Sequence, residues 1–309
     1  MTPHAVHRAS RLGSSFTVDV DAPGALGEGV LAAVLDEVAR LERVFDPLSP
    51  DSEFSCWRRG EVADTLVSGD LAQVLAASER FWVFSKGAFH PGAEPLFRRW
   101  REAERSGVPP TRQEMAELAR GIELPYTAVN GPIERTGDCS RVDLNSISRG
   151  YIIDRALEAG WRLGVATGLG IDAAGDRRHI GTSDAVLDLG GLFTPDAGGA
   201  PTERLLLRDA ALSHQSRRAR AFVVGGKRYG DLLDPSTGWP ADRIVAVAAL
   251  APDAMTADVL ATVIGVGRSP TRGGLPGCAW LAVTSDGRTL RSETWPHVGR
   301  TETLPPAAP

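Results

Sequence analysis

The stretch IVAVAALAPDAMTADVLATVIGVG, residues 244–267, contains both kinds of element from which the fold is built. Residues 244–250 form an apolar run rich in Val and Ala, which predicts a buried strand. Pro252 and Asp253 then make a turn, and the residues after it predict a helix over 256–266. A strand and a helix joined by a short turn are therefore expected at this point.

The rest of the chain mixes strands and helices without a regular β-α repeat. Thr111 with Glu114 three residues later forms a capping box that predicts a helix start. Asp70 and either Ser146 or Ser148 are the predicted N-caps of two other helices. The helix over 149–163 is expected to bury Ile152, Ile153, Leu157 and Trp161. Helices are also predicted at 27–44 and 70–85, and strands at 16–20, 185–189, 205–207, 221–224 and 279–283. This arrangement favours an α+β fold over a doubly wound sheet.

Length and composition indicate an ordinary globular protein. The chain has 309 residues, 42% of them hydrophobic and 24% charged, with a net charge of −5. We expect one domain over residues 1–301, large enough for two α+β lobes, and a disordered tail over 302–309. A mildly acidic chain has no overall positive field to attract nucleic acid, so no nucleic-acid partner is predicted.

Cysteine content and hydropathy bear on location. The three cysteines lie far apart and form no CxxC pair, which is typical of a reducing compartment. No apolar run approaches the roughly 18 residues of a membrane span. The sequence therefore predicts a cytoplasmic protein without a membrane span, and it leaves the oligomeric state open.

Asp258 and Thr262 are the most specific local signal. They are four residues apart near the start of the predicted helix, so their side chains share one face. A carboxylate and a hydroxyl suit a hard cation such as Mg2+, which would need further oxygen ligands. An alternative stays open, because Asp near a helix start also stabilises the helix dipole and Thr often bonds back to its own helix.

Two polar loops are further candidates for ligand contact. Asp234-Pro235-Ser236-Thr237-Gly238 predicts a tight turn between strands. Residues 142–151 predict an extended segment that leads into a helix through small polar residues, where backbone N–H groups could bind a pyrophosphate. Neither a GxGxxG nor a Walker A motif is present, and each loop taken alone is also compatible with an ordinary turn or helix start.

The two polar loops and the segment around Asp258 and Thr262, taken in chain order, resemble segments of the ApbE family of FAD:protein FMN transferases. Residues 143–154 correspond to the family's D-L-G-G-I-A-K-G-Y-A-x-D, and residues 231–240 to its H-x-I-D-P-x-T-G-x-P. Residues 257–262 correspond to A-D-A-x-A-T, 87–91 to G-A-F-D-P, 188–191 to D-L-G-G, 49–53 to Y-x-P-x-S-E, and 12–14 to M-G-T. The resemblance extends from about residue 12 to 285 and implies an ApbE-like (T-fold-like) α+β fold with mixed sheets and packed helices.

The resemblance also implies an activity and a set of site residues. Family members transfer FMN from FAD to a threonine or serine hydroxyl of a partner protein and release AMP, with Mg2+ as cofactor. By correspondence, Asp258 and Thr262 are expected to be Mg2+ ligands, together with the Ser148 carbonyl. The residues expected to contact FAD are Ala88, Phe89, His90, Asn145, Tyr151 and Leu232. The implied partners are FAD and a flavin-accepting protein, and this chain has no obvious acceptor motif of its own.

Several positions depart from the family pattern. Asp231 replaces the family's His before I-D-P and becomes the expected catalytic base, with His214 as an alternative. Arg149 stands at the lysine position, and His90 replaces the Asp of the flavin loop. A strand that follows the G-G segment is replaced by residues 193–201. The departures leave two alternative functions open, a non-catalytic FAD- or nucleotide-binding relative and an Mg2+-dependent FAD pyrophosphatase.

Overall fold

A computed structural model describes residues 4–129, 131–182, 185–188, 204–216, 221–268 and 275–296. The strands are β1 (His4–Arg11), β2 (Ser14–Asp21), β3 (Tyr126–Thr127), β4 (Glu134–Arg135), β5 (Gly168–Ala173), β6 (Asp176–Gly181), β7 (Ala185–Asp188), β8 (Arg204–Leu207), β9 (Ala210–Ser216), β10 (Ala221–Val224), β11 (Lys227–Gly230), β12 (Leu233–Asp234), β13 (Trp239–Pro240), β14 (Ile244–Ala251), β15 (Ala279–Thr284) and β16 (Thr289–Arg291). The helices are α1 (Gly24–Phe45), α2 (Glu53–Arg58), α3 (Gly69–Phe84), α4 (Glu94–Ser106), α5 (Arg112–Arg120), α6 (Asn145–Trp161) and α7 (Ala254–Gly265). The predicted tail at 302–309 and the segment 193–201 lie outside the described residues.

An eight-stranded sheet forms the framework, in the order β1-β2-β5-β6-β9-β14-β15-β16. Every pairing in it is antiparallel. The β5–β6 hairpin ends at Gly175, so the last residues of β9 extend past the end of β6. Residues 214–216 of β9 lie beyond the last β6 pair, Asp176 with Ser213, and they line the cavity described below.

The two faces of the sheet are covered differently. α1, α6 and α7 pack on one face, where the apolar side of α1, including Val30, Val34 and Val38, meets β2 and α6 in the main core. On the other face, β7 and β8 contribute Leu187, Leu205 and Leu207 to a smaller core that Trp295 also joins. Helices on one face and strands on the other confirm the predicted α+β class.

Helix boundaries follow from local capping, with some corrections to the sequence predictions. The capping box of Thr111 and Glu114 is present, since each side chain bonds to the other residue's backbone N–H. The prediction of Asp70 as an N-cap is wrong, because Ser68 caps α3 and Asp70 instead bonds to Arg40. α6 begins at Asn145 without a side-chain cap, so neither Ser146 nor Ser148 is its N-cap.

The predicted helices and strands otherwise lie close to those observed, with two further corrections. Trp161 is 38% exposed, contrary to its expected burial, and it is the last residue of α6. Residues 142–144 lie outside the strands, and a 3-10 turn at Cys139–Arg141 precedes them. Within the described ranges, no helix is long and apolar enough to cross a membrane.

Candidate functional site

A cavity of about 670 Å³ lies between the helices α6 and α7, the end of β9 and the loops around residues 90 and 232. Nine of the ten predicted site residues line it, although they come from four separate segments of the chain. These are Ala88, Phe89, His90, Asn145, Ser148, Asp231, Leu232, Asp258 and Thr262. The fold therefore brings the segments singled out in the sequence to one concave site, the usual location of a ligand site.

Tyr151 is the predicted FAD-contacting residue that does not line the cavity. Its side chain is buried, and its hydroxyl lies 2.7 Å from Asp70 Oδ1 and 2.9 Å from Gln73 Oε1. Burial raises the pKa of this phenol, and the carboxylate that accepts its hydrogen bond adds to the rise. In this structure the Tyr151 side chain thus links α6 to α3.

Asp258 and Thr262 lie one turn apart on α7 and are 4% and 7% exposed. Nε2 of Gln215, on β9, donates a 3.0 Å hydrogen bond to Oγ1 of Thr262. Ser148 lines the same cavity from α6. The described part of the chain contains no cluster of three His, Cys, Asp or Glu side chains that could hold a metal. A cation here would have to use a carboxylate, a hydroxyl and carbonyl or ligand oxygens, a donor set that fits a hard cation such as Mg2+.

The start of α7 is attached directly to α6. The carboxylate of Asp154 accepts hydrogen bonds from the backbone N–H groups of Ala254 (2.8 Å) and Met255 (3.0 Å), and from Nη1 of Arg178 (2.7 Å). Burial raises the pKa of Asp154 to about 6, although Arg178 opposes the rise. Asp253 caps α7 through a 2.7 Å bond from Thr256 N–H. Two backbone hydrogen bonds to Asp154 thus attach the helix that carries Asp258 to α6, and Asp253 caps its first turn.

Gly150 allows α6 and α7 to approach at backbone distance. A Cβ built on Gly150 would lie 2.5 Å from the carbonyl oxygen of Ala254 and 2.5 Å from the Cα of Met255. Only a glycine fits such a contact without moving one of the helices. Ser148 and Arg149 precede this crossing point and line the cavity beside α7.

Arg149 forms a buried ion pair on the same wall. Its Nη1 lies 3.1 Å from Oδ2 of Asp176, and the hydroxyl of Ser213 donates to Oδ1 of that carboxylate at 2.6 Å. Burial raises the pKa of Asp176, while the guanidinium of Arg149 and the hydroxyl of Ser213 oppose the rise. Arg149 and Asp176 both line the cavity, so a positively charged, oriented side chain faces its interior.

The loop around residue 90 carries a neutral imidazole. The backbone N–H of Gly92 donates to Nδ1 of His90 at 3.1 Å, and burial lowers the His90 pKa to about 4. At neutral pH the ring therefore carries its proton on Nε2 and offers a donor where an Asp would offer only acceptors. Gly92 is required here because its Cβ would lie 2.1 Å from the carbonyl oxygen of Glu123.

Asp231, Leu232, Leu233 and Pro235 line another part of the cavity, just before the turn that ends at Gly238. Gly238 adopts a φ of 67° and closes the turn by donating to the carbonyl of Asp234 at 2.7 Å. Leu232 packs against Gly265 of α7, where a Cβ would lie 2.5 Å from its Cδ2. The predicted turn is confirmed, and its neighbour Asp231 lines the cavity.

His214, the alternative catalytic base, also lines the cavity. Its Nδ1 lies 3.1 Å from the carbonyl oxygen of Gly175, so Nδ1 carries the proton of the neutral ring. His214 pairs with Ala248 and Gln215 with Val247, which places His214 on the sheet face opposite to Gln215 and α7. The imidazole therefore approaches the cavity from the far side of the sheet, around the end of the β5–β6 hairpin.

Sequence reasoning missed the residues that hold the site together. Asp176, Gln215 and Arg178 lie on strands that were not predicted, and their partners are 24 to 47 residues away in the chain. No local motif indicates these contacts. The Asp154 position lies in a motif, but its bonds to residues 254 and 255 depend on the packing of two helices.

An antiparallel sheet with helices on one face, and a cavity lined by Asp258, Thr262 and Asp231, defines an α+β protein with a candidate ligand site. The sequence profile of the ApbE family matches residues 12–271, and the chain belongs to that family. Two curated relatives are named FAD:protein FMN transferase. The Haemophilus influenzae protein is 26% identical over 69% of this chain and 65% of its own length, slightly under two thirds of that relative. The Vibrio cholerae protein is 24% identical over 81% of this chain and 78% of its own length.

Solved structures agree with the family assignment. The crystal structure of an ApbE protein of Thermotoga maritima is 25% identical, covers 95% of this chain and 98% of that one, and superimposes with a TM-score of 0.77. The flavin transferase ApbE of Vibrio cholerae is 17% identical with a TM-score of 0.75, over 95% of this chain and 98% of that one. The second likeness concerns the fold alone.

Proposed function

We propose that the protein is an Mg2+-dependent transferase that moves FMN from FAD to a threonine or serine hydroxyl of an acceptor protein and releases AMP. The observation that carries the proposal is the meeting of two predicted groups in one cavity. The buried oxygen donors Asp258 and Thr262 share this cavity with the flavin-loop residues Ala88, Phe89 and His90. The names of the curated relatives support the same activity.

The residues present suit this chemistry. Asp258, Thr262 and the Ser148 carbonyl would hold Mg2+, which neutralises phosphate charge when bound. Transfer at phosphorus depends on positioning and charge stabilisation more than on a covalent enzyme group. Ala88, Phe89, His90, Asn145 and Leu232 would bind and orient the FAD. Tyr151 is predicted by the resemblance to contact FAD. Its hydroxyl bonds to Asp70 on α3, so it would support the FAD site by linking α6 to α3.

Asp231 is the proposed catalytic base for the acceptor hydroxyl. It lines the cavity next to Leu232, which contacts α7. A carboxylate with an ordinary pKa near 3.9 accepts protons weakly at neutral pH. Asp231→His should therefore retain or raise the transfer rate and Asp231→Asn should lower it, as measured in single-turnover labelling. A rate that Asp231→Asn leaves unchanged would remove Asp231 from this role.

The decisive experiment identifies the products. The purified chain is incubated with FAD, Mg2+ and a flavin-accepting protein, and both in-gel flavin fluorescence and free AMP are measured. A fluorescent acceptor with an equal amount of AMP supports the transferase. AMP without labelled acceptor would indicate an FAD pyrophosphatase instead, and FAD binding with neither product a non-catalytic relative. Absence of FAD binding would contradict all three functions.

The metal assignment has its own test. Asp258→Ala should abolish the Mg2+ dependence of the reaction and weaken Mn2+ binding measured directly by calorimetry, because it removes the only carboxylate proposed as a ligand. Asp253→Asn is the matched control, since it removes a carboxylate from the same helix start, keeps a capping oxygen for Thr256 N–H, and should leave metal binding unchanged. Metal binding that is equal in Asp258→Ala and in the unmodified chain would refute the assignment.

The predicted cytoplasmic location stays a prediction.

A further inference from the structure

The ion pair of Arg149 and Asp176 is a charged group in the cavity to which no role has been given so far. Asp176 is 4% exposed, and its two carboxylate oxygens are both engaged, one by Arg149 and one by Ser213. The Arg149 side chain is 21% exposed and lies at the cavity wall. A buried carboxylate with fixed partners thus holds a guanidinium that is still accessible from the cavity.

The guanidinium has donors left for a ligand. Its bond to Asp176 uses Nη1, and an arginine presents five N–H donors in a planar fork. Within the described ranges, no second acceptor bonds to Arg149. A fork held in place by a carboxylate is suited to bidentate binding of phosphate oxygens.

The position of Arg149 in the fold indicates which ligand group it would meet. It lies in the second turn of α6, whose N-terminal residues Asn145 and Ser146 also line the cavity. The N–H groups of Asn145, Ile147 and Ser148 already donate to Asp143 Oδ1 and to the Leu144 carbonyl, so a ligand here would depend on the guanidinium for its donors. Ser148, the adjacent residue, lines the cavity on the side of Asp258 and Thr262. Arg149 and this oxygen pair line the same cavity, so a diphosphate held beside the pair would meet the guanidinium.

We propose that Arg149 binds the diphosphate of FAD and that Asp176 and Ser213 are positioning residues that orient its guanidinium. The proposal rests on the proposed function, since it names the contact of that same site with the diphosphate. It involves binding only and requires no covalent step. Arg149 therefore determines that the cavity prefers phosphate-bearing flavins to riboflavin.

The test is a ligand series that separates phosphate recognition from flavin recognition. Dissociation constants for riboflavin, FMN and FAD are measured by flavin fluorescence, with EDTA and again with Mg2+. Arg149→Gln alone would leave the buried carboxylate of Asp176 without its partner and could unfold the chain. The double variant Arg149→Gln/Asp176→Asn removes both charges and keeps an amide pair of similar size.

In the double variant, the affinity for FAD and FMN should fall about 10- to 100-fold, the range of a hydrogen bond to a charged group. The riboflavin affinity should be unchanged, which a general loss of structure would not produce. Arg149→Lys keeps the charge and loses the fork, so it should weaken FAD binding by a smaller factor. Arg162→Met, at the far end of α6, is the control for loss of one positive charge and should leave all three constants unchanged.

Two outcomes would overturn the proposal, and they are distinguishable from failure of the proposed function. An equal loss of riboflavin and FAD affinity in the double variant would make the pair a structural element. Unchanged FAD affinity would show that the diphosphate lies elsewhere, while leaving the transferase intact. Absence of FAD binding by the unmodified chain would instead remove the proposed function and this proposal with it.

Discussion

The two walls of the cavity are built by different physical means. The helix wall, formed by α6 and α7, is fixed by hydrogen bonds to buried Asp154 and by backbone contact at Gly150. The aromatic lobe, formed by α4, α5 and β10–β13, is held by ring packing around Trp100. The Trp100 ring centroid lies 5.7, 4.9 and 5.1 Å from those of Phe222, Tyr229 and Trp239.

This difference indicates a division of roles between the walls. Hydrogen bonds to a buried charge have fixed directions and tolerate little displacement, which would suit the proposed cation ligands on α7. Ring packing is less directional and tolerates small shifts. We therefore expect the helix wall to respond to substitution as one unit with the core, and the aromatic lobe to respond locally.

The largest expected effect concerns the buried carboxylate of the helix wall. Asp154→Ala leaves Arg178 and two backbone N–H groups without their acceptor, and breaking a buried ion pair costs about 3–5 kcal/mol. The free energy of unfolding, measured with urea, should fall by that amount. Glu61→Ala removes the carboxylate of the exposed pair with Arg59 and should leave this free energy unchanged. If both substitutions lowered the free energy of unfolding equally, the expectation that the helix wall depends on buried Asp154 would be wrong.

The next effect concerns the crossing of α6 and α7. Gly150→Ala places a Cβ 2.5 Å from the backbone of residues 254 and 255, so the helices must separate. Overpacking of this kind costs about 1–3 kcal/mol and should also weaken Mn2+ binding by displacing α7. Gly29→Ala in α1 is the control, because nothing lies within 4 Å of that Cβ. It should stabilise the chain by about 0.5–1 kcal/mol. A stable Gly150→Ala variant with normal metal binding would contradict the proposed rigidity.

The smallest effect should stay within the aromatic lobe. Thr111→Ala removes the capping box of α5, which costs about 1 kcal/mol. Hydrogen exchange of the α5 amides should accelerate, while the amides of α6 and α7 keep their protection. Thr111→Ser keeps the hydroxyl and should behave like the unmodified chain. Faster exchange throughout α7 in Thr111→Ala would show that the two walls unfold together.

Much of the local structure could be predicted because its causes are local. The apolar spacing of α1, the Thr111–Glu114 capping box and the Asp234–Gly238 turn each depend on residues close in sequence. β5, β6 and β9 were not predicted. The sequences GLGIDA of β5 and DRRHIG of β6 contain glycines and charges, and AALSHQS of β9 ends in four polar residues. These features weaken the strand pattern, and pairing with neighbours in the sheet decides the conformation.

The sequence by itself determined the ApbE resemblance, the α+β class and the i, i+4 pair of Asp258 and Thr262, because ordered motifs and helical periodicity can be read along the chain. Only the tertiary structure decided that Tyr151 bonds to Asp70, that Asp154 holds the start of α7, and that Arg149 is paired with Asp176. These contacts join residues 27 to 100 positions apart. Their partners are set by how the sheet and helices pack, which no local pattern specifies.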